Sequence, residues 1–167
     1  MATDHLNIIE RKLIDNLRTG TYNGGTAWSS GDVTVFGQFP EAEDIKYPCI
    51  IIQMLANGIE QQFIGQKVSS GSSTVTGELY GVGFNLHCAV DKESSITVGG
   101  TPYKQRRLLN YLMINCANVL MDCDFTATDT EITQRMYTGF RNVGYEPALE
   151  IWAAVTGMVV VFLNTRG

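Results

Sequence analysis

The sequence is poor in the residues that carry or bind chemistry. Only two histidines, His5 and His87, stand among its 167 residues. Charged residues make up 17%, and the 17 acids outnumber the 12 bases to give a net charge of −5. This shortage of positive charge disfavours sequence-independent binding to nucleic-acid phosphates or to anionic membranes. No apolar run approaches the ~20 residues of a membrane-crossing helix. Even Ile151 to Leu163 is strand-sized. Met1-Ala2-Thr3-Asp4-His5 lacks the basic-then-apolar pattern of a secretory leader, so a soluble protein made in a cytoplasm is expected. The four cysteines, Cys49, Cys88, Cys116 and Cys123, show no metal-hook spacing and sit among apolar neighbours. Buried, reduced thiols are therefore expected.

The length suits one domain spanning residues 1–167, able to bury roughly 70% of its unfolded surface without a disulfide or metal. The clearest pattern is the alternation of Tyr80, Val82, Phe84, Leu86, Cys88 and Val90 with Gly81, Gly83, Asn85, His87 and Ala89. A period of two predicts a strand over 78–90 with one buried face. Leu6, Ile9, Leu13 and Leu17 repeat at helical spacing and predict a first helix over 4–18, with Gly20 ending it. A second helix is expected to open at Thr101-Pro102, with Thr as cap and Pro in the first turn, and to run to Met121. Its buried stripe would hold Gln105, Leu108, Leu109, Leu112, Cys116, Val119 and Leu120.

Val33 to Phe39 reads as a short strand ended by Pro40, and Cys49 to Leu55 as an internal strand. Asn57-Gly58 is the preferred pair of a two-residue hairpin, which predicts Cys49–Ala56 against Ile59–Ile64. The Gly- and Ser-rich segment 65–77 reads as a loop. Residues 122–129 read as a polar connection, followed by weak strands at 132–137 and 141–143. The final strand, Glu150 to Leu163, is apolar on both faces, so both should be covered, by helices or by a neighbouring subunit. The fold class expected is α+β: a mixed or mainly antiparallel sheet with two amphipathic helices packed on it and long surface loops.

None of these elements brings a catalytic motif. His87 has no accompanying nucleophile elbow. His87 and Cys88 point to opposite faces of a regular strand and cannot chelate one ion together. Gly81 and Gly83 lie inside a strand, unlike a phosphate loop, and suggest close backbone approach or a bulge. The expectation is a non-enzyme with no catalytic, cofactor-binding or metal-binding residues.

The order of elements resembles the tail terminator or tail-completion proteins of tailed phages. The likeness rests on the first helix, Val33-Thr-Val-Phe-Gly-Gln-Phe-Pro, Tyr47-Pro-Cys-Ile-Ile-Ile-Gln, the alternating strand Leu79 to Val90, Tyr103-Lys-Gln-Arg-Arg-Leu-Leu onward, and Gly144-Tyr-Glu-Pro-Ala-Leu-Glu-Ile-Trp. It implies a virion protein, assembled in the host cytoplasm, that forms a homo-oligomeric ring, expected to be a hexamer. Such a ring caps the tail tube, ends its polymerisation and joins the tail to the neck. Its partners would be tube protein, neck or connector proteins and sheath protein, with DNA passing through the lumen unbound and no membrane involved. Candidate subunit-interface residues are Phe36, Phe39 and Phe63, the acidic run Glu41, Glu43 and Asp44, and the basic pair Arg106 and Arg107. Core packing is an equal reading for the aromatics, and a solvated surface for the charges. Another head–tail connector or neck ring is the alternative function. A small hydrolase using His87 has least support.

Overall fold

The computed structural model describes residues 5–55, 58–62, 68–70, 73–125 and 131–166. The chain is α+β, with two helices on one face of a mixed, mainly antiparallel sheet. Helix α1 (His5–Thr19) buries Ile9, Leu13 and Leu17, the stripe expected from the sequence. Gly20 follows at φ +60, the left-handed geometry that ends many helices. A Cβ at Gly20 would also lie 2.9 Å from the Trp28 indole. That indole donates to the carbonyl of Leu17 at 2.9 Å, satisfying one carbonyl at the helix end. Two short strands, β1 (Thr21–Tyr22) and β2 (Gly25–Thr26), form the hairpin between Gly20 and Trp28.

The main sheet has the order β10 (Glu131–Glu146), β11 (Ile151–Arg166), β7 (Ser73–Asp91), β4 (Cys49–Met54), β3 (Thr34–Phe36). Strand β3 runs parallel to β4, and β4 pairs antiparallel with the 19-residue β7. The other edge of β7 pairs with β11 from Ile151↔Asp91 to Arg166↔Thr76. Helix α2 (Gln105–Asp122) buries Leu108, Leu109, Leu112, Cys116, Val119 and Leu120, whereas Gln105, expected in the same stripe, is exposed because it opens the helix beyond the sheet-facing turns. The buried residues meet Val82, Phe84, Leu86, Cys88 and Val90 of β7 and Ala154, Met158, Val160 and Phe162 of β11 in a single core.

Four further expectations are corrected. Among the described residues, the expected pairing of Cys49–Ala56 with Ile59–Ile64 is not formed. Strands β4 and β5 (Gly58–Gln62) both pair with β7, β4 along 84–89 and β5 along 78–81. The long edge of β7 offers hydrogen-bond partners to both segments in line, so the chain need not reverse between them. Residues 56 and 57 lie outside the described residues. Segment 65–77 is not all loop: β6 (Val68–Ser70) pairs with the start of β7 through Ser70↔Ser73. The second helix opens at Gln105, because Thr101-Pro102 belongs to β9 (Thr101–Lys104), paired with β8 (Ser95–Val98). Between them Gly99 and Gly100 take φ +55 and +80, the two positive angles of a tight hairpin turn. Pro102 is tolerated because this two-stranded ribbon has free edges.

The fourth correction concerns 131–146. The two weak strands are one, β10 (Glu131–Glu146), an outer strand paired with β11. Its register shifts at 132/134, 137/139 and 141/144. These bulges move the side-chain alternation from one face to the other, which hides a 16-residue strand from a period-two reading.

Candidate functional site

Two surfaces combine exposed apolar and charged side chains. The first follows β10. Among the described residues only β11 pairs with it, so its outer edge is free. Met136, Phe140, Val143 and Tyr145 are each 43–47% exposed along it, and Leu149 in the turn to β11 is 65% exposed. The strand is locked to its neighbour from inside. Fully buried Thr156 of β11 hydrogen-bonds to the Tyr137 hydroxyl at 2.8 Å and donates to the Gly139 carbonyl at 3.1 Å. Both partners flank a bulge, so this bond set fixes where the alternation shifts.

At the end of β10 the surface becomes aromatic and basic. Tyr145 and Trp152 stack at 5.1 Å, and the Arg106 guanidinium lies 6.0 Å from the Trp152 ring centre. Arg107 lies 4.5 Å from the ring centre of Tyr103, which packs on Tyr111 at 4.9 Å. Cation–π contact holds both arginines at the start of α2 while leaving them exposed. Beside them is a cleft of about 170 Å³ lined by Lys92, Gln105, Tyr145, Glu150 and Trp152. Gln105 and Glu150 both have left-handed backbone angles, at φ +50 and +53. Lys92 and Glu150 form an exposed ion pair at 2.9 Å across its rim.

The second surface lies on the face of the sheet turned away from the helices. Phe39 is 56% exposed and sits edge-on to His87 at 5.1 Å. The segment continues through Pro40 into a short 3₁₀ turn (Ala42–Asp44), where Glu41, Glu43 and Asp44 are all exposed. Beneath Phe39 runs a polar row. His87 donates through Nε2 to Gln53 at 2.9 Å, Gln53 also accepts from Asn85 at 3.5 Å, and Arg141 donates to Asn85. Burial, and then the charge of Arg141, lower the His87 pKa, which favours the neutral ring.

The sequence-predicted site residues therefore fall in two places. Phe39 and the acidic run share one surface, with Phe36 half-buried on the adjacent β3. Arg106 and Arg107 lie on the other. Phe63 lies outside the described residues. Among the described residues no ion pair joins the two groups, and Lys92–Glu150 lies wholly on the arginine side. Sequence reading missed Met136, Phe140, Val143 and Tyr145, because the shifts at 137/139 and 141/144 fall within this set and break its spacing. It also missed the Tyr145–Trp152 floor under Arg106, which needs the register of two strands to be known.

All four cysteines are buried free thiols. Burial pushes Cys49 and Cys123 up to about 12. A 3.8 Å contact with Cys88, followed by burial, raises Cys116. Among the described residues no group of three or more His, Cys, Asp or Glu is arranged to hold a metal ion, and no helix is long and apolar enough to cross a membrane. The sequence matches no protein-family model, and no curated protein matches it significantly.

Proposed function

We propose that this chain is a structural ring subunit that caps the tail tube of a tailed phage, ends its polymerisation and joins it to the neck. One observation carries the reading: an outer strand of 16 residues presents Met136, Phe140, Val143 and Tyr145 to solvent. A monomer usually keeps such an edge short, charged or covered, because a free edge lined with apolar groups recruits another chain. The three bulges of β10 interrupt open-ended strand pairing. What remains is a side-chain surface of fixed register, suited to an interface repeated around a closed ring. The α+β fold and the order of elements support the same reading.

Each subunit works by shape and mass action in this proposal, with no bond made or broken. The ring is a hexamer in the virion, its neighbours are tube and neck proteins, and DNA passes through its lumen unbound. The surroundings of His87 favour a structural role over a hydrolytic one. Its Nε2 is committed to Gln53 and its ring face to Phe39, and its described hydrogen-bond partner is an amide.

Particles made without the chain and imaged by electron microscopy test the proposal. Tails of irregular or excess length, unjoined to heads, are expected. Tails of normal length joined to heads would refute it. Capture of tube protein by the purified chain is the expected outcome in solution, whereas capture of portal or adaptor protein alone would assign it to another neck ring.

A further inference from the structure

We infer that the contact repeated around the ring seats the Phe39-to-Asp44 segment of one copy on the Arg106–Trp152 corner of the next; this rests on the ring reading above. The two surfaces carry opposite charge. One ends in three exposed carboxylates, Glu41, Glu43 and Asp44, and the other in exposed Arg106 and Arg107. They cannot meet within one molecule. Phe39 lies against His87 on one face of the sheet, whereas α2 packs on the opposite face.

Their levels along the strands agree nonetheless. The acidic turn leads into Cys49, which pairs with Ala89, and Trp152 pairs with Val90 one residue further along β7. The two surfaces therefore sit at the same end of the sheet and face opposite ways. That placement is what a head-to-tail ring needs, since every copy must offer a donor patch on one side and an acceptor patch on the other. An exposed phenyl ring beside a carboxylate run also matches an aromatic floor beside guanidinium groups. The acceptor arginines are already held by cation–π contact, so little side-chain freedom is lost on docking. Glu150 at the rim is neutralised by Lys92 and does not repel the incoming acids strongly.

Charge reversal tests the contact. One full-length variant carries Glu43→Arg with Asp44→Arg, and a second carries Arg106→Glu with Arg107→Glu. All four sites are exposed, and circular dichroism with thermal melting verifies that each variant folds as the natural chain does. Ring formation is followed by native mass spectrometry and light scattering, alone and on isolated tail tubes. Each variant alone is expected to raise the dissociation constant of the ring contact at least about tenfold. An equimolar mixture is expected to restore assembly to within about threefold. Every contact in an alternating ring of the two variants again pairs opposite charges. Variants that assemble alone like the natural chain, or a mixture that stays apart, overturn the docking while leaving the ring intact as a proposal. A natural chain that stays monomeric both alone and on tubes overturns the ring reading, and the docking with it.

Discussion

Gly157 is where a single methyl group should do most damage. It lies buried in β11 opposite Asn85 of β7. A Cβ there would stand 2.3 Å from the Phe84 carbonyl oxygen, 3.1 Å from Thr138 Oγ1 and 3.2 Å from Asn85 Oδ1. The nearest obstacle is backbone in the central ladder, so no rotamer change relieves it. Reaching ordinary van der Waals separation requires the two strands to part by about 1 Å. Overpacking of this kind costs ~1–3 kcal/mol, and a backbone obstacle places Gly157→Ala at the upper end. Reduced freedom of the unfolded chain returns ~0.4–1 kcal/mol. The net loss expected is about 2 kcal/mol, or roughly 4–8 °C in melting temperature for a chain of this size. Gly144→Ala on β10 is the control. No atom lies within 4 Å of the Cβ it would add, so only the unfolded-chain effect remains and a gain of ~0.4–1 kcal/mol is expected. Urea denaturation followed by tryptophan fluorescence measures both. Equal midpoints for the two variants would refute the argument from close approach.

Thr156→Val keeps the shape of a fully buried side chain but removes its bonds to Tyr137 and Gly139, and should cost about 1–3 kcal/mol. In a double-mutant cycle with Tyr137→Phe the losses should fall short of additivity by ~0.5 kcal/mol or more; simple additivity would mean the two hydroxyls are not coupled. Alkaline pH supplies a further test. Cys49 and Cys123 stay protonated in the folded state up to about 12, whereas unfolded thiols ionise at about 8.5. Between these values the unfolded chain binds fewer protons, so stability falls as pH rises, by about 1.4 kcal/mol per pH unit for each thiol. Denaturation midpoints from pH 8 to 11 should decline accordingly, and Cys49→Ala should flatten the slope. A flat profile in the natural chain would contradict the burial of these thiols.

Much of the fold was legible because the relevant patterns are local. The stripe Ile9, Leu13 and Leu17 announces α1, and the alternation from Val82 to Val90 announces the face of β7 that meets the helices. Pairing was less legible. Asn57-Gly58 carries a hairpin signal, yet whether the chain reverses there depends on the length of a strand formed later in the sequence. Thr101-Pro102 fits a helix start and a ribbon edge equally well, and only the Gly99-Gly100 turn with its preceding strand decides between them. Strand β10 was split because each bulge resets the side-chain alternation. The charged ends of the candidate interface could be named from sequence, since charge runs are local. The aromatic floor under Arg106 could not, because Tyr145 and Trp152 meet only through the pairing of β10 with β11.

All sixteen residues of β11 lie in register with β7, whose other flank holds β4 and β5. Antiparallel ladder bonds run perpendicular to the strands. A pull along β7 therefore strains many bonds sideways at once, where peeling would break them one after another. Tension applied along that axis should meet a stiff strut, and the amides least willing to trade their protons for deuterium should be those of its middle, between residues 84 and 89, where both flanks are paired.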